Sequence, residues 1–293
     1  MAGNFFFKFA LDSTFNAILS TPVEMIDEMP RPDVDRDWFN SVSKTTKSIT
    51  SDDDGNLLSA YLIMNPHYDH KWLITVHGYR SNAKDMGDYA HAFYDMGYNV
   101  LMPDLESHGL SKGKYVGMGY TDKNDVIKWI NYIIDLDPEA EIVLHGVSMG
   151  ASTVMMVTGE SLPRNVKCAI EDCGYSTVYD IFKHVSNTFL RLPITDMLIS
   201  ALDINTKMIL GYSIKEIDCV QQLKKSTTPT LFIHGDADTF VPFWMLDVVY
   251  NANPDLEKEK LVVNGATHAC SSTHSPEIYF EKIKTFVEKY VTI

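Results

Sequence analysis

The sequence predicts an α/β protein with a mostly parallel central sheet flanked by helices. Two observations carry this prediction. Short apolar runs alternate with polar stretches of helix length, a pattern typical of strands that are buried on both faces. Apolar residues make up 45% of the 293 residues, which is enough to form a buried hydrophobic core in a chain of this length.

The predicted strands and helices follow one another along most of the chain. The strands are Trp72–Val76, Asn99–Met102, Ile142–Leu144, Cys168–Ile170, Thr230–Ile233 and Lys260–Val263. The helices are Ala83–Met96, Thr121–Asp135, Met149–Glu160, Phe243–Asn251 and Pro276–Tyr290. This alternation predicts right-handed crossovers. Ahead of it, Lys44–Thr50 and Leu57–Met64 alternate around the turn residues 52–55, which predicts a hairpin.

Residues 1–293 are expected to form a single domain with two additions. Residues 1–40 form a helical or irregular lead-in, which is acidic from Glu24 to Asp37. Residues 174–228 carry no strand signal, and a structureless loop of that length is improbable. Their apolar residues recur at helical spacing, which predicts a helical cap inserted over one edge of the sheet. These residues are Ile181, Phe182, Val185, Phe189, Met197, Leu198 and Ala201.

The net charge of −14 argues against nucleic acid as a partner, because an acidic surface repels a phosphate backbone. It also disfavours strongly anionic substrates. No apolar run approaches the length of a membrane span, so no stable membrane insertion is expected. The mostly apolar segment Asn4–Leu11 is either an amphipathic helix packed on the rest of the protein or the remnant of a membrane anchor. A cytoplasmic location is expected; the alternative is a cell-surface or membrane-anchored protein whose anchor is missing from this chain.

Four scattered cysteines suit free buried thiols in a reducing compartment better than a disulfide framework. The chain has no Cys-x-x-Cys pair and no His-Glu-x-x-His motif. Neither a metal site nor a cofactor is therefore predicted. The oligomeric state stays open.

The strongest chemical signal is Gly146-Val147-Ser148-Met149-Gly150. It lies between a predicted strand and a predicted helix, which is the context that a G-x-S-x-G nucleophile turn requires. Small residues two before and two after the serine let the two elements approach each other closely. The pattern predicts Ser148 as a nucleophile and the backbone N–H of Met149 as an oxyanion donor at a helix N-terminus.

A nucleophilic serine needs a base, and the base needs an orienting acid. Only His268 and His274 lie beyond the last predicted strand. His268 follows that strand directly and is the favoured base, whereas His274 sits near the start of the last helix and suits a surface position.

Three acids remain open on the residues alone. Asp236 and Asp238 follow the strand Thr230–Ile233, and Asp172 follows the strand before it. Asp236 comes straight after Gly235 and suits a turn role. Asp238 lies farther along the loop, within reach of an imidazole, and is favoured.

The second oxyanion donor is expected in the loop after the strand Trp72–Val76. That strand runs into His77-Gly78-Tyr79. Gly78 allows a tight turn, and the backbone N–H of Tyr79 is the expected donor.

Five segments together resemble the α/β-hydrolase superfamily, and most of all its bacterial serine esterases and peptidase-like hydrolases. In chain order they are residues 77–79, 104–111, 146–150, 234–242 and 265–268. The resemblance implies the α/β-hydrolase fold, with Asp238 as the triad acid and with Tyr79 and Met149 at the oxyanion hole. It implies structural roles for Asp104 and His108.

The prediction for function is a metal-independent serine hydrolase that cleaves carboxylic esters. Ser148 forms an acyl-enzyme, His268 acts as base and Asp238 orients it. The apolar residues of the cap favour a small-molecule ester with an apolar acyl or aryl part. The alternatives on the same triad are a serine peptidase or amidase and a thioesterase. An alternative of another class is a ligand-binding module that uses this fold without turnover.

Overall fold

A computed structural model of the protein describes residues 2–16, 36–67, 69–189, 191, 194–254 and 257–292. Within these residues the centre is an eight-stranded sheet in the order β1-β2-β4-β3-β5-β6-β7-β8. The strands are β1 (Thr45–Thr50), β2 (Leu57–Ile63), β3 (Lys71–Val76), β4 (Asn99–Asp104), β5 (Glu141–Val147), β6 (Val166–Asp172), β7 (Thr230–Gly235) and β8 (Glu259–Val263). Strands β3 to β8 run parallel, and the hairpin β1–β2 joins antiparallel at β4.

Helices cover both faces of this sheet. Those described are α1 (Ala2–Leu11), α2 (Ser13–Asn16), α3 (Arg36–Ser41), α4 (Gly87–Asp95), α5 (Asp122–Leu136), α6 (Met149–Thr158), α7 (Val178–Thr188), α8 (Thr195–Leu210), α9 (Cys219–Leu223), α10 (Trp244–Ala252), α11 (Ser271–His274) and α12 (Pro276–Val287). None of the helices in the described residues is long and apolar enough to cross a bilayer.

The core has two layers because successive side chains of a strand point to opposite faces. In β3, Trp72 and Ile74 pack with α5 and α6 on one face, whereas Leu73 packs with α4 and α12 on the other. All three side chains are fully buried. The expected mostly parallel sheet flanked by helices is therefore confirmed.

One predicted helix is divided in the structure. Instead of a single helix over Ala83–Met96, a 3₁₀ turn over Ala83–Met86 precedes α4. The Asn82 side chain accepts from the N–H of Lys84 (3.0 Å), and Asp104 Oδ1 accepts from the N–H of Ala83 (2.7 Å). These acceptors satisfy N–H groups that have no partner within the first turn, and they hold residues Ala83–Met86 in the tighter 3₁₀ geometry.

The described part of the lead-in packs on the body. Helix α1 contacts α8, and the N–H of Val116 donates to the Leu11 carbonyl (2.9 Å). The Tyr79 hydroxyl donates to the carbonyl oxygen of Ala10 (3.0 Å). Helix α1 is thereby tied to the loop after β3. The acidic stretch Glu24–Asp37 lies almost entirely outside the described residues.

The interval between β6 and β7 is helical where it is described. Helices α7, α8 and α9 occupy it, and α7 packs on α8. Val178, Ile181, Ile199 and Leu202 are buried in the same apolar cluster as Phe7 and Leu11 of α1. Leu190 and Leu192, which also belong to the predicted cap, lie outside the described residues.

Glu106 carries a testable pH dependence of stability. Burial, and next the neighbouring Asp54, raises the pKa of Glu106 from 4.5 to about 9. The unfolded chain ionises this carboxyl at lower pH than the folded protein. The free energy of unfolding is therefore undiminished below about pH 4.5 and falls as the pH rises toward 9. Glu106→Gln should raise stability at pH 8 by about 1–3 kcal/mol and flatten this slope.

Thermal melts of wild type and Glu106→Gln between pH 5 and 8 measure the effect. The exposed Glu281 supplies a matched control, since Glu281→Gln should keep the wild-type slope. Equal slopes for wild type and Glu106→Gln would contradict the prediction.

Candidate active site

Ser148 lies on a sharp turn between β5 and α6. Its backbone has φ 58° and ψ −118°, a region that is strained for a residue with a side chain. A Cβ on Gly146 would lie 2.3 Å from the Gly150 carbonyl oxygen, and one on Gly150 would lie 2.1 Å from that of Val76. The two glycines are therefore needed for strand, turn and helix to approach this closely.

His268 lies in the loop after β8, with its ring between two side chains. Its Nε2 is 2.9 Å from Ser148 Oγ, and its Nδ1 is 2.8 Å from Asp238 Oδ2. The three groups thus form one row from hydroxyl to imidazole to carboxylate. Because β5, β7 and β8 end at the same edge of the sheet, residues from three distant segments meet here.

Asp238 is almost fully buried, with 4% of its surface exposed. Its Oδ1 accepts from the N–H groups of Phe240 (2.9 Å) and Val241 (3.0 Å). Burial by itself favours the neutral acid, but the interactions with His268 and His234 outweigh it and lower the pKa of Asp238 to about 2. The carboxyl is therefore ionised near neutral pH and faces the imidazole as an anion.

His234 is a neighbour of this row that the sequence analysis missed. Its Nε2 lies 3.2 Å from Asp238 Oδ2 and 2.9 Å from the carbonyl oxygen of Val241. The ring is fully buried at the end of β7. Burial lowers the pKa of His234, but the hydrogen bond and charge of Asp238 outweigh burial and raise it. The sequence feature that could have indicated this contact is the four-residue spacing between His234 and Asp238 across one tight turn.

The other candidate residues lie elsewhere. Asp236 Oδ1 accepts from the N–H of Gly265 (2.6 Å) and so supports the loop that carries His268. Asp172 Oδ2 accepts from the Tyr279 hydroxyl (2.9 Å). His274 is exposed in α11, with its ring beside Gly265. None of these three makes a described hydrogen bond to the His268 ring.

The loop after β3 passes directly beside Ser148. A Cβ on Gly78 would lie 3.3 Å from the Ser148 Cβ, so the turn that leads to Tyr79 adjoins the hydroxyl. Met149 is the first residue of α6, where a helix leaves its N–H groups without acceptors in the helix. The turn residue Tyr79 and the helix start at Met149 thus flank Ser148.

Two buried histidines hold the loop after β3 in place through hydrogen bonds with the backbone. His77 Nε2 accepts from the N–H of Leu105 (3.0 Å), and His108 Nε2 accepts from the N–H of Arg80 (3.2 Å). Burial lowers the pKa of His77 to about 4 and that of His108 to about 3, so both are neutral at pH 7. Both are thereby able to accept hydrogen bonds from the backbone and brace the turn.

An apolar surface adjoins the ring of His268. The Phe240 ring lies 5.0 Å from the His268 ring, and Phe189 at the end of α7 lies 5.9 Å from Phe240. His184 of α7 holds the same loop through the carbonyl oxygen of Thr239 (2.8 Å). The helices between β6 and β7 therefore reach the loop that carries Asp238.

Solved structures share this architecture. Esterase Pf2001 of Pyrococcus furiosus is 23% identical and matches with a TM-score of 0.71 over 89% of this chain and 97% of its own. Alpha/beta hydrolase GrgF from Penicillium sp. sh18 is 15% identical, with a TM-score of 0.66 over 86% and 100%. The chain has the α/β-hydrolase fold. Est1E from Butyrivibrio proteoclasticus, solved with ferulic acid bound, matches this α/β-hydrolase-fold chain at 20% identity and TM-score 0.63, over 84% and 100%.

Sequence comparisons point the same way. Residues 69–174 of this α/β-hydrolase-fold chain match the family described as serine aminopeptidase, S33. Uncharacterized protein YqkD of Bacillus subtilis (strain 168) is 28% identical over 224 residues, which span 76% of this chain and 73% of YqkD. Uncharacterized protein YfhR of Escherichia coli (strain K12) is 21% identical over 216 residues, which span 73% and 69%.

Proposed function

We propose that the protein is a serine hydrolase that cleaves carboxylic esters through an acyl-enzyme on Ser148. One observation carries the proposal: the hydrogen-bonded row of Ser148, His268 and Asp238, with the serine held on a strained turn. A triad of this kind is recognised by its geometry and by the role that each group can take.

The chemistry follows from the position of each atom. Ser148 Oγ attacks the ester carbonyl carbon while its proton passes to His268 Nε2. Asp238 holds the Nδ1–H side of the ring and stabilises the imidazolium. The imidazolium then gives its proton to the departing alkoxide, which leaves as the alcohol. A water molecule, deprotonated by the same nitrogen, hydrolyses the acyl-enzyme and regenerates Ser148.

The oxyanion is assigned to the backbone N–H groups of Tyr79 and Met149. The contact between Gly78 and Ser148 supports Tyr79, and the helix start supports Met149. Each such donor contributes about 3–4 kcal/mol to the stabilisation of the transition state.

The helices between β6 and β7 are proposed as the cap over this site, within a single domain. The rings of Phe189 and Phe240 beside His268 favour an apolar acyl or aryl group, because such a group gains by leaving water there. The net charge of −14 favours neutral or cationic substrates over anionic ones. Pf2001 is named an esterase, and Est1E was solved with ferulic acid, an aromatic carboxylic acid, bound to it; both agree with this substrate class.

A peptidase is the second candidate, and the match of residues 69–174 to the serine aminopeptidase family favours it. A panel of p-nitrophenyl esters, acyl thioesters and aminoacyl p-nitroanilides separates the candidates. We expect the highest kcat/KM on p-nitrophenyl esters with short apolar acyl groups. A higher kcat/KM on the anilides would assign the protein as a peptidase, and one on the thioesters as a thioesterase.

A fluorophosphonate probe tests, on the same sample, whether Ser148 is reactive even if no substrate of the panel is hydrolysed. Labelling of Ser148 is expected, since the probe needs only an activated serine. No labelling together with no hydrolysis of the whole panel would favour a ligand-binding module.

Loss of the Tyr79 hydroxyl should weaken catalysis while leaving the proposed N–H donor in place. Tyr79→Phe removes the hydrogen bond to Ala10 (3.0 Å), which ties the oxyanion turn to α1. Since such a bond stabilises by about 0.5–1.5 kcal/mol, kcat should fall about 2- to 10-fold with little change in KM. Tyr132→Phe is the control: Tyr132 packs on the same apolar cluster from α5. Unchanged kcat in Tyr79→Phe would contradict a role for this link.

A further inference from the structure

Cys173 places a soft ligand atom beside the proposed catalytic row. It follows β6 directly and is turned inward, with a left-handed backbone (φ 53°) and 1% of its surface exposed. Its N–H donates to the Ile233 carbonyl oxygen (2.9 Å), which fixes it between β6 and β7. The thiol is free.

The thiol, a carboxylate oxygen of Asp238 and a ring nitrogen of His268 lie within 4.8 Å of one another. Among the described residues, no other group of three or more His, Cys, Asp or Glu side chains brings its ligand atoms this close together. Sulfur, nitrogen and oxygen are the donors that Zn²⁺ takes in proteins, at about 2.0–2.3 Å. Only a small inward movement would bring them to one ion. Mg²⁺ avoids thiolate ligands.

We propose that Cys173, Asp238 and His268 form an inhibitory site for a soft divalent cation such as Zn²⁺. The nitrogen concerned is Nδ1, because Nδ1 is the ring atom that faces Asp238 (2.8 Å). Binding at Nδ1 shifts the ring proton to Nε2, and the thiol releases its own proton to solvent. Nε2 then carries a hydrogen and can no longer accept the proton of Ser148, so the bound metal prevents His268 from acting as the base.

The inhibition rests on the proposed hydrolase function, whereas binding of the metal does not. The first measurement is the rate of p-nitrophenyl butyrate hydrolysis by the whole protein with increasing ZnCl₂ or MgCl₂. Zinc should inhibit, EDTA should restore the rate, and magnesium should have no effect. Absence of zinc inhibition in an active enzyme would overturn the proposal.

Two cysteine variants locate the site. Cys173→Ser should hydrolyse the ester at the wild-type rate but need at least about tenfold more zinc for half inhibition, because even loss of an outer-shell partner costs 10–100-fold in affinity. Cys270→Ser is the matched control, since Cys270 is also buried and lies two residues from His268. It should keep wild-type sensitivity. Equal sensitivity of Cys173→Ser and wild type would refute the site.

Zinc affinity supplies a readout that is independent of turnover. In competition with a chromophoric chelator, wild type and Cys270→Ser should each bind one zinc at least about tenfold more tightly than Cys173→Ser does. If that difference appears but no ester is cleaved, the metal site stands and the proposed function fails. If the affinities are equal, the site fails. Cys173→Ala repeats the test should the serine variant not fold, as judged by thermal melts.

Discussion

Ser148→Ala is expected to lower kcat/KM for p-nitrophenyl butyrate by at least about 10⁴-fold, since loss of the proposed nucleophile removes the acyl-enzyme route. Labelling by a fluorophosphonate probe should disappear as well. The melting temperature should stay near that of wild type, because alanine keeps the Cβ and leaves the backbone at φ 58° under the same strain. Initial rates, probe labelling and thermal melts measure the three quantities.

Ser152 provides the matched control one turn later in α6. Its Oγ accepts from the N–H of Tyr175 (2.9 Å), and its side chain is fully buried. Ser152→Ala should therefore lower the melting temperature and preserve turnover, the reverse of Ser148→Ala. Retained turnover and labelling in Ser148→Ala would remove the nucleophile assignment.

Asp238→Asn is expected to lower kcat by about 10⁴-fold. The amide nitrogen of asparagine can donate to His268 Nδ1, which would hold the ring with its proton on Nε2 and block transfer from Ser148. Since the pKa of Asp238 is about 2, the wild-type carboxylate stays ionised in mildly acidic buffer. Assays from pH 5 to 8 should therefore show the loss at every pH.

Asp236→Asn is the control for this substitution. Its Oδ1 accepts from the N–H of Gly265 (2.6 Å), and the side-chain oxygen of asparagine can keep that bond. Only a small loss of kcat is expected. If Asp236→Asn were the more damaging change, the orienting acid would have to be reassigned to Asp236.

The arrangement of strands and helices could be predicted because burial patterns are local. A strand covered on both faces must be largely apolar, and this marks β3 to β7 along the chain, whereas the edge strand β8 is only partly buried. The division of the segment Ala83–Met96 could not be predicted, because it depends on a hydrogen bond that the N–H of Ala83 donates to Asp104, which lies in the next strand.

The candidate nucleophile could be named from sequence for a similar reason. The turn at Ser148 is specified within five residues, because Gly146 and Gly150 are the positions that collide with backbone if they carry a Cβ. The candidate orienting acid could not be narrowed to one residue on the sequence alone, since three aspartates follow late strands. The folded chain brings Asp238 to 2.8 Å from His268, while Tyr279 engages Asp172 and Gly265 engages Asp236.

The periodicity of apolar residues and the glycine spacing were thus sufficient for the fold class and for the turn at Ser148. Contacts across the edge of the sheet were decided only by the tertiary structure. Examples are the approach of Cys173 to His268 and the bond from Tyr79 to Ala10. The physical reason is that strand order, which no local pattern encodes, determines which loops share the carboxyl edge, and only those loops can place their side chains in contact.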